Sequence, residues 1–407
     1  MKASRQSRDD KWEALPEIMI PAARRVDHIR EYYFSQKLRE IGQMQARGLD
    51  VINLGIGSPD LPPAAGVIAR LAQSSLESDN HGYQSYRGIP ELRHAFTEWY
   101  HRHFEVSLRA DDEVLPLMGS KEGIMHITMA FVNPGEEVLV PDPGYPAYRA
   151  AAALSGAVAR PYDLSPENGW LPDLQALEQQ GLEKVRIMWV NYPHMPTGAR
   201  ATRGFFKELV AFGIRNNILV CNDNPYSFIL NQEKLSLLSI PGAPRVCLEL
   251  NSLSKSHNMA GWRIGMLAGA AAYIDAVMKV KSNMDSGMFR PMQLAAADAL
   301  NAPEQWYHTL DKTYGQRQAV ARGILDLLQC SYQADQAGMF LWGSVPRQYE
   351  DATALTDKLL GKAGVFITPG MVFGKNGKRH IRISLCSTAE VLQAAKESIQ
   401  KHLNEIL

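Results

Sequence analysis

Three short stretches carry residue types able to do covalent and anion-binding chemistry. In "NSLSKSHNMAGWRIG", Lys255 sits between two serines in a run that is neither an amphipathic helix nor an alternating strand, and Arg263 follows eight residues later. A lysine is ordinarily a solvated surface charge, but one desolvated beside another cation becomes a neutral amine that attacks carbonyls. In "CNDNPYSF", Asp223 ends an apolar run and Tyr226 follows three residues on, so both can face one ligand. The plainer reading is an Asx-turn with a solvated carboxylate and a packed ring. In "MGSKEGIMHI", Gly119, Ser120 and Lys121 lead from a strand into a helix. Unpaired N–H groups, a hydroxyl and the helix dipole there favour a phosphate, and a glycine turn with a serine cap is the plainer alternative.

The elements that position these residues are legible as alternation. Strand-like runs "DVINLG", "EVLPLM", "EEVLVP", "AVARPY", "VRIMWV", "ILVCND", "VCLEL" and "RIGMLAG" are separated by helix-like stretches such as "ELRHAFTEWYHRHF", "EGIMHITMAFV" and "TRGFFKELVAFGIRNN". That order predicts an α/β fold, a mostly parallel sheet with helices on both faces. In such sheets ligands bind outside the carboxyl ends of the strands, where all three stretches fall. Beyond about residue 270 a long helical region precedes strand-like "GMFLWGSV", "GVFITPG" and "HIRISLC" and a closing helix, the order of an α+β unit. The expected division is a large cofactor-binding domain over 51–289, a smaller α+β domain over 290–407, and an arm and helix over 1–50 that join the smaller one.

Composition narrows the class of partner. The chain has 407 residues, 45% of them hydrophobic, and its 43 basic side chains balance 43 acidic ones, so no global field draws it to nucleic acid or an anionic membrane. Its four cysteines, Cys221, Cys247, Cys330 and Cys386, show no CxxC pairing, which argues against a disulfide framework and a zinc site; no metal is expected. The N-terminus is polar, and no run reaches the roughly 18 apolar residues of a membrane span. A cytoplasmic protein acting on small molecules is expected.

A lysine amine for a Schiff base, an aspartate for a pyridinium nitrogen, and a helix start with Ser and Arg for a phosphate together meet the requirements of pyridoxal 5'-phosphate. Here the chain resembles the class I and II aminotransferases, fold-type I enzymes with a seven-stranded type of sheet in the large domain. Beyond the lysine segment, "LGIGSPDLP", "GYQSYRGIPELR", "GSKEGI", "PDPGYPAY", "NYPHMPTG", "NDNPY", "GVFITPG" and "HIRISL" match in family order, over nearly the whole chain from about residue 20. "GSKEGI" and "NMDSGMF" are similar to the branch containing LL-diaminopimelate and related broad-range aminotransferases.

The resemblance implies roles residue by residue. Lys255 carries the cofactor and shuttles the proton, Asp223 keeps the pyridine nitrogen protonated, and Tyr226 hydrogen-bonds the cofactor's 3'-oxygen. Tyr145 stacks on the ring, and Gly119, Ser120, Lys121, Ser252 and Arg263 form the phosphate cup. Tyr83 reaches the phosphate of a neighbouring subunit, which implies a homodimer with shared sites. Arg382 clamps the substrate α-carboxylate beside Gly57. The implied reaction is ping-pong transfer of an amino group between an L-amino acid, glutamate being one donor, and a 2-oxo acid. A β-lyase or other carbanion chemistry is the alternative on the same fold. A ligand-sensing scaffold is disfavoured because the matching pattern leaves no room for a DNA-binding domain and the reactive residues are retained.

Two places stay open. Arg290 is a candidate for a second substrate carboxylate or an ordinary helix-start arginine, and Tyr32, Tyr33 and Phe34 are a candidate lid or simple helix packing. In "NYPHMPTG" the family's usual asparagine before the second proline is replaced by Met195, a weak acceptor that cannot donate. Asn191 or His194 is expected to supply the missing donor, with Met195 an apolar wall.

Overall fold

The computed structural model describes residues 20–27, 31 and 33–407; Tyr32 lies outside them. In chain order the strands are β1 (Ile52–Asn53), β2 (Val114–Leu117), β3 (Glu137–Asp142), β4 (Val158–Asp163), β5 (Val185–Val190), β6 (Leu219–Asp223), β7 (Cys247–Ser252), β8 (Gly265–Gly269), β9 (Ser331–Tyr332), β10 (Phe340–Ser344), β11 (Val365–Phe366), β12 (Thr368–Pro369) and β13 (His380–Ser384). Seven of them form one sheet in the order β2-β8-β7-β6-β5-β3-β4, in which β8 alone runs against its neighbours.

The near-continuous apolar runs of its strands other than the half-exposed edge strand β4 follow from burial on both faces. Side chains alternate across a strand, so adjacent residues enter different cores. Leu115, Val138, Ile187, Leu219 and Leu267 pack with helices Ser120–Phe131, Pro146–Leu154 and Ala271–Lys281. Their neighbours Val114, Leu139, Met188, Val220 and Ala268 join the opposite core, with helices Pro90–Phe104, Arg203–Asn216 and Arg290–Leu300.

A second, antiparallel sheet has the order β12-β13-β10-β9 and sets Arg382 opposite Trp342 and Thr368. It packs with the long helix Glu304–Leu327 and the helix Ala352–Ala363, which in turn carry the helix Ala389–Lys401. Strand β1 pairs in parallel with β11, which carries the following loop, residues 54–62, toward the large sheet. Two polar clasps hold the halves in register. Arg317 grips both oxygens of Asp60 at 2.7 and 2.8 Å. Asp142, at the end of β3, accepts the backbone N–H groups of Lys375 and Asn376 at 3.2 and 3.0 Å. Among the described residues no helix is long and apolar enough to cross a membrane.

Candidate active site

The carboxyl ends of β2, β3, β5, β6 and β7 open on one cavity of about 540 Å³, closed on its far side by β10, β13 and the helix Tyr33–Ala46. Gly57, Ser120, Lys121, Tyr145, Asn191, Asp223, Tyr226, Ser252, Lys255, Arg263 and Arg382 all line it. Gly119 packs behind it. Its φ of +85° suits glycine, and a Cβ there would lie 2.3 Å from Nη2 of Arg263, so the guanidinium fills the space a side chain would take. Arg263, itself left-handed at φ 58°, donates from Nη1 to the carbonyl of Ala260 at 3.0 Å. The start of helix Ser120–Phe131, with Arg263 and Ser252 beside it, is therefore a cationic cup with backbone donors.

Lys255 follows β7, and its Nζ donates to the carbonyl of Gly57 at 2.6 Å. Burial lowers its pKa from the ordinary lysine value, and the guanidiniums of Arg382 and Arg263 act in the same direction. The amine is thus biased toward the neutral, nucleophilic form.

Asp223, 5% exposed at the end of β6, accepts a hydrogen bond from the phenol of Tyr148 on Oδ2 at 3.0 Å. Oδ1 finds no hydrogen-bond donor among the described residues. Burial pushes this carboxyl up to about 7, with the Tyr148 hydrogen bond opposing. A buried carboxylate oxygen facing a cavity without a donor is costly unless a ligand N–H arrives.

Arg382 is 4% exposed and stands among three rings, with its guanidinium carbon 4.0 Å from the centre of Phe340, 4.6 Å from Phe373 and 5.2 Å from Phe34. Its Nη2 donates to the carbonyl of Gly55 at 2.7 Å, and Nη1 lies 3.4 Å from the sulfur of Met195. Gly57 is kept free of a side chain by Phe340, whose ring would lie 2.3 Å from an added Cβ.

Met195 lines the cavity, as expected of a wall, and is also a contact of Arg382. Oδ1 of Asn191 accepts the backbone N–H of Met195 at 2.8 Å while its Nδ2 donates to the carbonyl of Asp223, which fixes the amide's orientation. His194 is not among the lining residues; its Nδ1 pairs with Thr197 at 2.8 Å, and burial lowers its pKa to about 3. Tyr83 lies outside the cavity, 94% exposed. Arg290 also lies outside it and pairs with Glu91 at 3.3 Å. Of the N-terminal aromatics, Phe34 lines the cavity and Tyr33 packs edge-on against it, 5.5 Å between ring centres.

Sequence reasoning missed Tyr148, Phe340 and Phe373. Only Tyr148 had a signal, its place three residues beyond Tyr145 at a helix start, where both rings share a face.

The residues present fit pyridoxal phosphate. The unpartnered oxygen of Asp223 suits a pyridinium N–H, the cup at Gly119 suits a phosphate, and the Lys255 amine suits an aldehyde.

Comparison with known proteins agrees with this chemistry. The model of the family "Aminotransferase class I and II" matches residues 49–399. LL-diaminopimelate aminotransferase of Natranaerobius thermophilus is 39% identical over 95% of this chain and 100% of the relative. The enzyme of the same name from Dehalococcoides mccartyi is 41% identical over 91% of this chain and 96% of the relative. The apo structure of BacF from Bacillus subtilis superposes with a TM-score of 0.90 at 34% identity, covering 94% of this chain and 98% of that one. The chain therefore belongs to the class I and II aminotransferases, fold-type I enzymes that use pyridoxal 5'-phosphate to move an amino group between an amino acid and a 2-oxo acid.

Proposed function

We propose that this aminotransferase takes L-glutamate as one amino donor and holds the α-carboxylate of each substrate on Arg382, beside Gly57 and Asn191. The observation that carries this reading is the convergence of three unlike groups on one cavity: the Lys255 amine, the donor-less oxygen of Asp223 and the caged guanidinium of Arg382. Pyridoxal phosphate, when bound, supplies an aldehyde that takes up the amino group and a ring that accepts the electron pair of the Cα–H bond. Lys255 carries the cofactor and then moves the proton of Cα as a general base. Asp223 accepts the ring N–H, and Tyr226 donates to the phenolic oxygen. Tyr145 covers the ring face. Ser120, Lys121, Ser252, Arg263 and the backbone at Gly119 hold the phosphate.

The reading extends to a cytoplasmic homodimer in which Tyr83 reaches the partner's phosphate. The exposure of Tyr83, with Met118, Met284 and Phe289 also exposed, supports a covered face. The four cysteines are buried free thiols, in keeping with a reducing compartment. We take residues 51–289 as the cofactor-binding domain and 290–407, with the described residues of 1–50, as the smaller one. The large sheet draws its strands from 114–269 and the antiparallel sheet from 331–384, which supports the division except at its boundary, since helix Arg290–Leu300 packs against helices Ala65–Ser74 and Pro90–Phe104 on the large-sheet side.

The test is a half-reaction screen. Enzyme loaded with pyridoxal phosphate is mixed with single amino acids, including LL-diaminopimelate because relatives carry that name. Loss of the absorbance of the lysine-bound cofactor is followed. Glutamate is expected to discharge it; no response to glutamate removes the donor assignment. Sedimentation of the same enzyme as a monomer at micromolar concentration removes the dimer.

A further inference from the structure

Tyr148 borders the cavity from helix Pro146–Leu154, and its ring is held on two sides. It stacks on Trp189 of β5 at 5.1 Å with 6° between the planes, and meets the ring of Tyr145 edge-on at 5.7 Å. Its hydroxyl is thereby delivered to Oδ2 of Asp223 at 3.0 Å. The direction of that bond is settled by chemistry. Burial and the adjacent carboxylate keep the phenol protonated, so Tyr148 donates and Asp223 accepts.

The terminal torsion of an aspartate is soft and two-fold. Left to itself, the Asp223 carboxylate would present either oxygen, at a range of angles, to whatever entered the cavity. With Oδ2 tied to a phenol whose own ring is clamped, the rotation is set. Oδ1 is then the oxygen without a donor among the described residues. A phenylalanine would fill the same space against Trp189, so packing alone does not call for the hydroxyl.

We propose that Tyr148 is a positioning residue for transamination: by tying Oδ2 of Asp223 it fixes the carboxylate so that Oδ1 is offered to the ring N–H of the bound cofactor. This rests on the reading of Asp223 given above. A residue that only fills the core would leave the protonation of the ring nitrogen unchanged; a positioning residue would not.

The experiment is nitrogen-15 NMR of enzyme reconstituted with pyridoxal phosphate labelled at the ring nitrogen. It is run from about pH 6 to about pH 9, the range in which a perturbed carboxyl or pyridine titrates. The wild type is expected to show a protonated ring nitrogen throughout, and Asp223→Asn an unprotonated one. Tyr148→Phe is expected to show a nitrogen that loses its proton within the range, with the half-reaction slowed roughly tenfold, the worth of one hydrogen bond to a charged group. In the Asp223→Asn background, Tyr148→Phe should add nothing, since both act through one contact. Tyr148→His, which returns a ring N–H donor, should recover part of the protonated signal, and it carries the test should the Phe variant not fold.

A response to Asp223→Asn with none to Tyr148→Phe would overturn the role of Tyr148 and leave that of Asp223 standing. No response to Asp223→Asn would remove both. A His variant indistinguishable from Asp223→Asn would likewise count against the proposal.

Discussion

Nη1 of Arg382 lies 3.4 Å from the sulfur of Met195, so the guanidinium of β13 and the thioether just beyond β5 meet in the wall of one cavity. A thioether is a weak acceptor and offers no proton to a substrate carboxylate. An asparagine at this position would accept from Arg382 and donate to the carboxylate at once. Met195→Asn is therefore expected to raise kcat/KM for the amino donor by roughly tenfold or more, from a hydrogen bond to a charged group worth about 1.5–3 kcal/mol. Met195→Leu, which conserves volume, should change it little. Half-reaction rates against donor concentration measure both; a drop with Asn would show that the sulfur is the better neighbour for Arg382 in this cage.

The phosphate cup makes a sharper prediction, because two glycines with similar φ differ in surroundings. Gly119 has φ +85° and Arg263 Nη2 2.3 Å from an added Cβ; Gly135 has φ +83° and nothing within 4 Å. Alanine at either position carries backbone strain, about 1–3 kcal/mol at Gly119, whose φ of 85° and ψ of 156° are essentially reserved for glycine. Only Gly119→Ala must also displace the guanidinium, so it should weaken pyridoxal phosphate binding roughly 10- to 100-fold while Gly135→Ala leaves affinity alone. Equilibrium dialysis distinguishes them, and equal affinities would dissociate Arg263 from the cofactor.

What could be read from the sequence follows from these same forces. Strands β2, β3 and β5 to β8 were legible because strands buried on both faces demand unbroken apolar runs, and "VRIMWV" admits little else. The two-residue strand Ser331–Tyr332 and the helix Ala65–Ser74 escaped, the first because two residues carry no period and the second because "AGVIARLAQS" follows prolines that read as loop. In the cavity, Lys255, Asp223 and Arg263 announced themselves as polar groups at strand ends. The cage of Phe34, Phe340 and Phe373 around Arg382 did not, since its members come from three separate segments and, apart from the lid candidate Phe34, read alone as ordinary core. Tyr148 had its spacing from Tyr145 as a signal, but its hydrogen-bond partner lies 75 positions away.

The clasp at Asp142 should be a stability element. Gly374 has φ +142° and an added Cβ would lie 2.1 Å from Asp142 Oδ1, the oxygen that accepts from the backbone of Asn376. Gly374→Ala must open that contact and is expected to cost roughly 2–4 kcal/mol, through strain and a buried carboxylate deprived of donors. Gly48→Ala, at φ +82° with nothing within 4 Å, should cost about 1 kcal/mol from strain alone. Urea unfolding of the two variants side by side measures the difference, and equal midpoints would mean the loop 370–377 shifts without loss.

Asp223 ties function to stability in a pH-dependent way. Its carboxyl titrates at about 7 in the fold against 3.8 ordinarily, because burial disfavours the charge. Below about pH 4 the folded and unfolded chains both hold the proton and the group contributes nothing to their difference. Between about 4 and 7 only the folded chain holds it, so stability falls as the pH rises; above 7 both are ionised and the full cost, at most about 4 kcal/mol, is present. Cofactor-free Asp223→Asn, which mimics the protonated acid and still accepts from Tyr148, should match the wild type near pH 4 and exceed it by up to that amount near pH 8. Adding pyridoxal phosphate at pH 8 should reverse the order, since only an ionised Asp223 pairs with a ring N–H. Unfolding midpoints with and without cofactor at the two pH values decide it: a cofactor-free variant no more stable than wild type at pH 8 would mean that the carboxylate is not held at a cost.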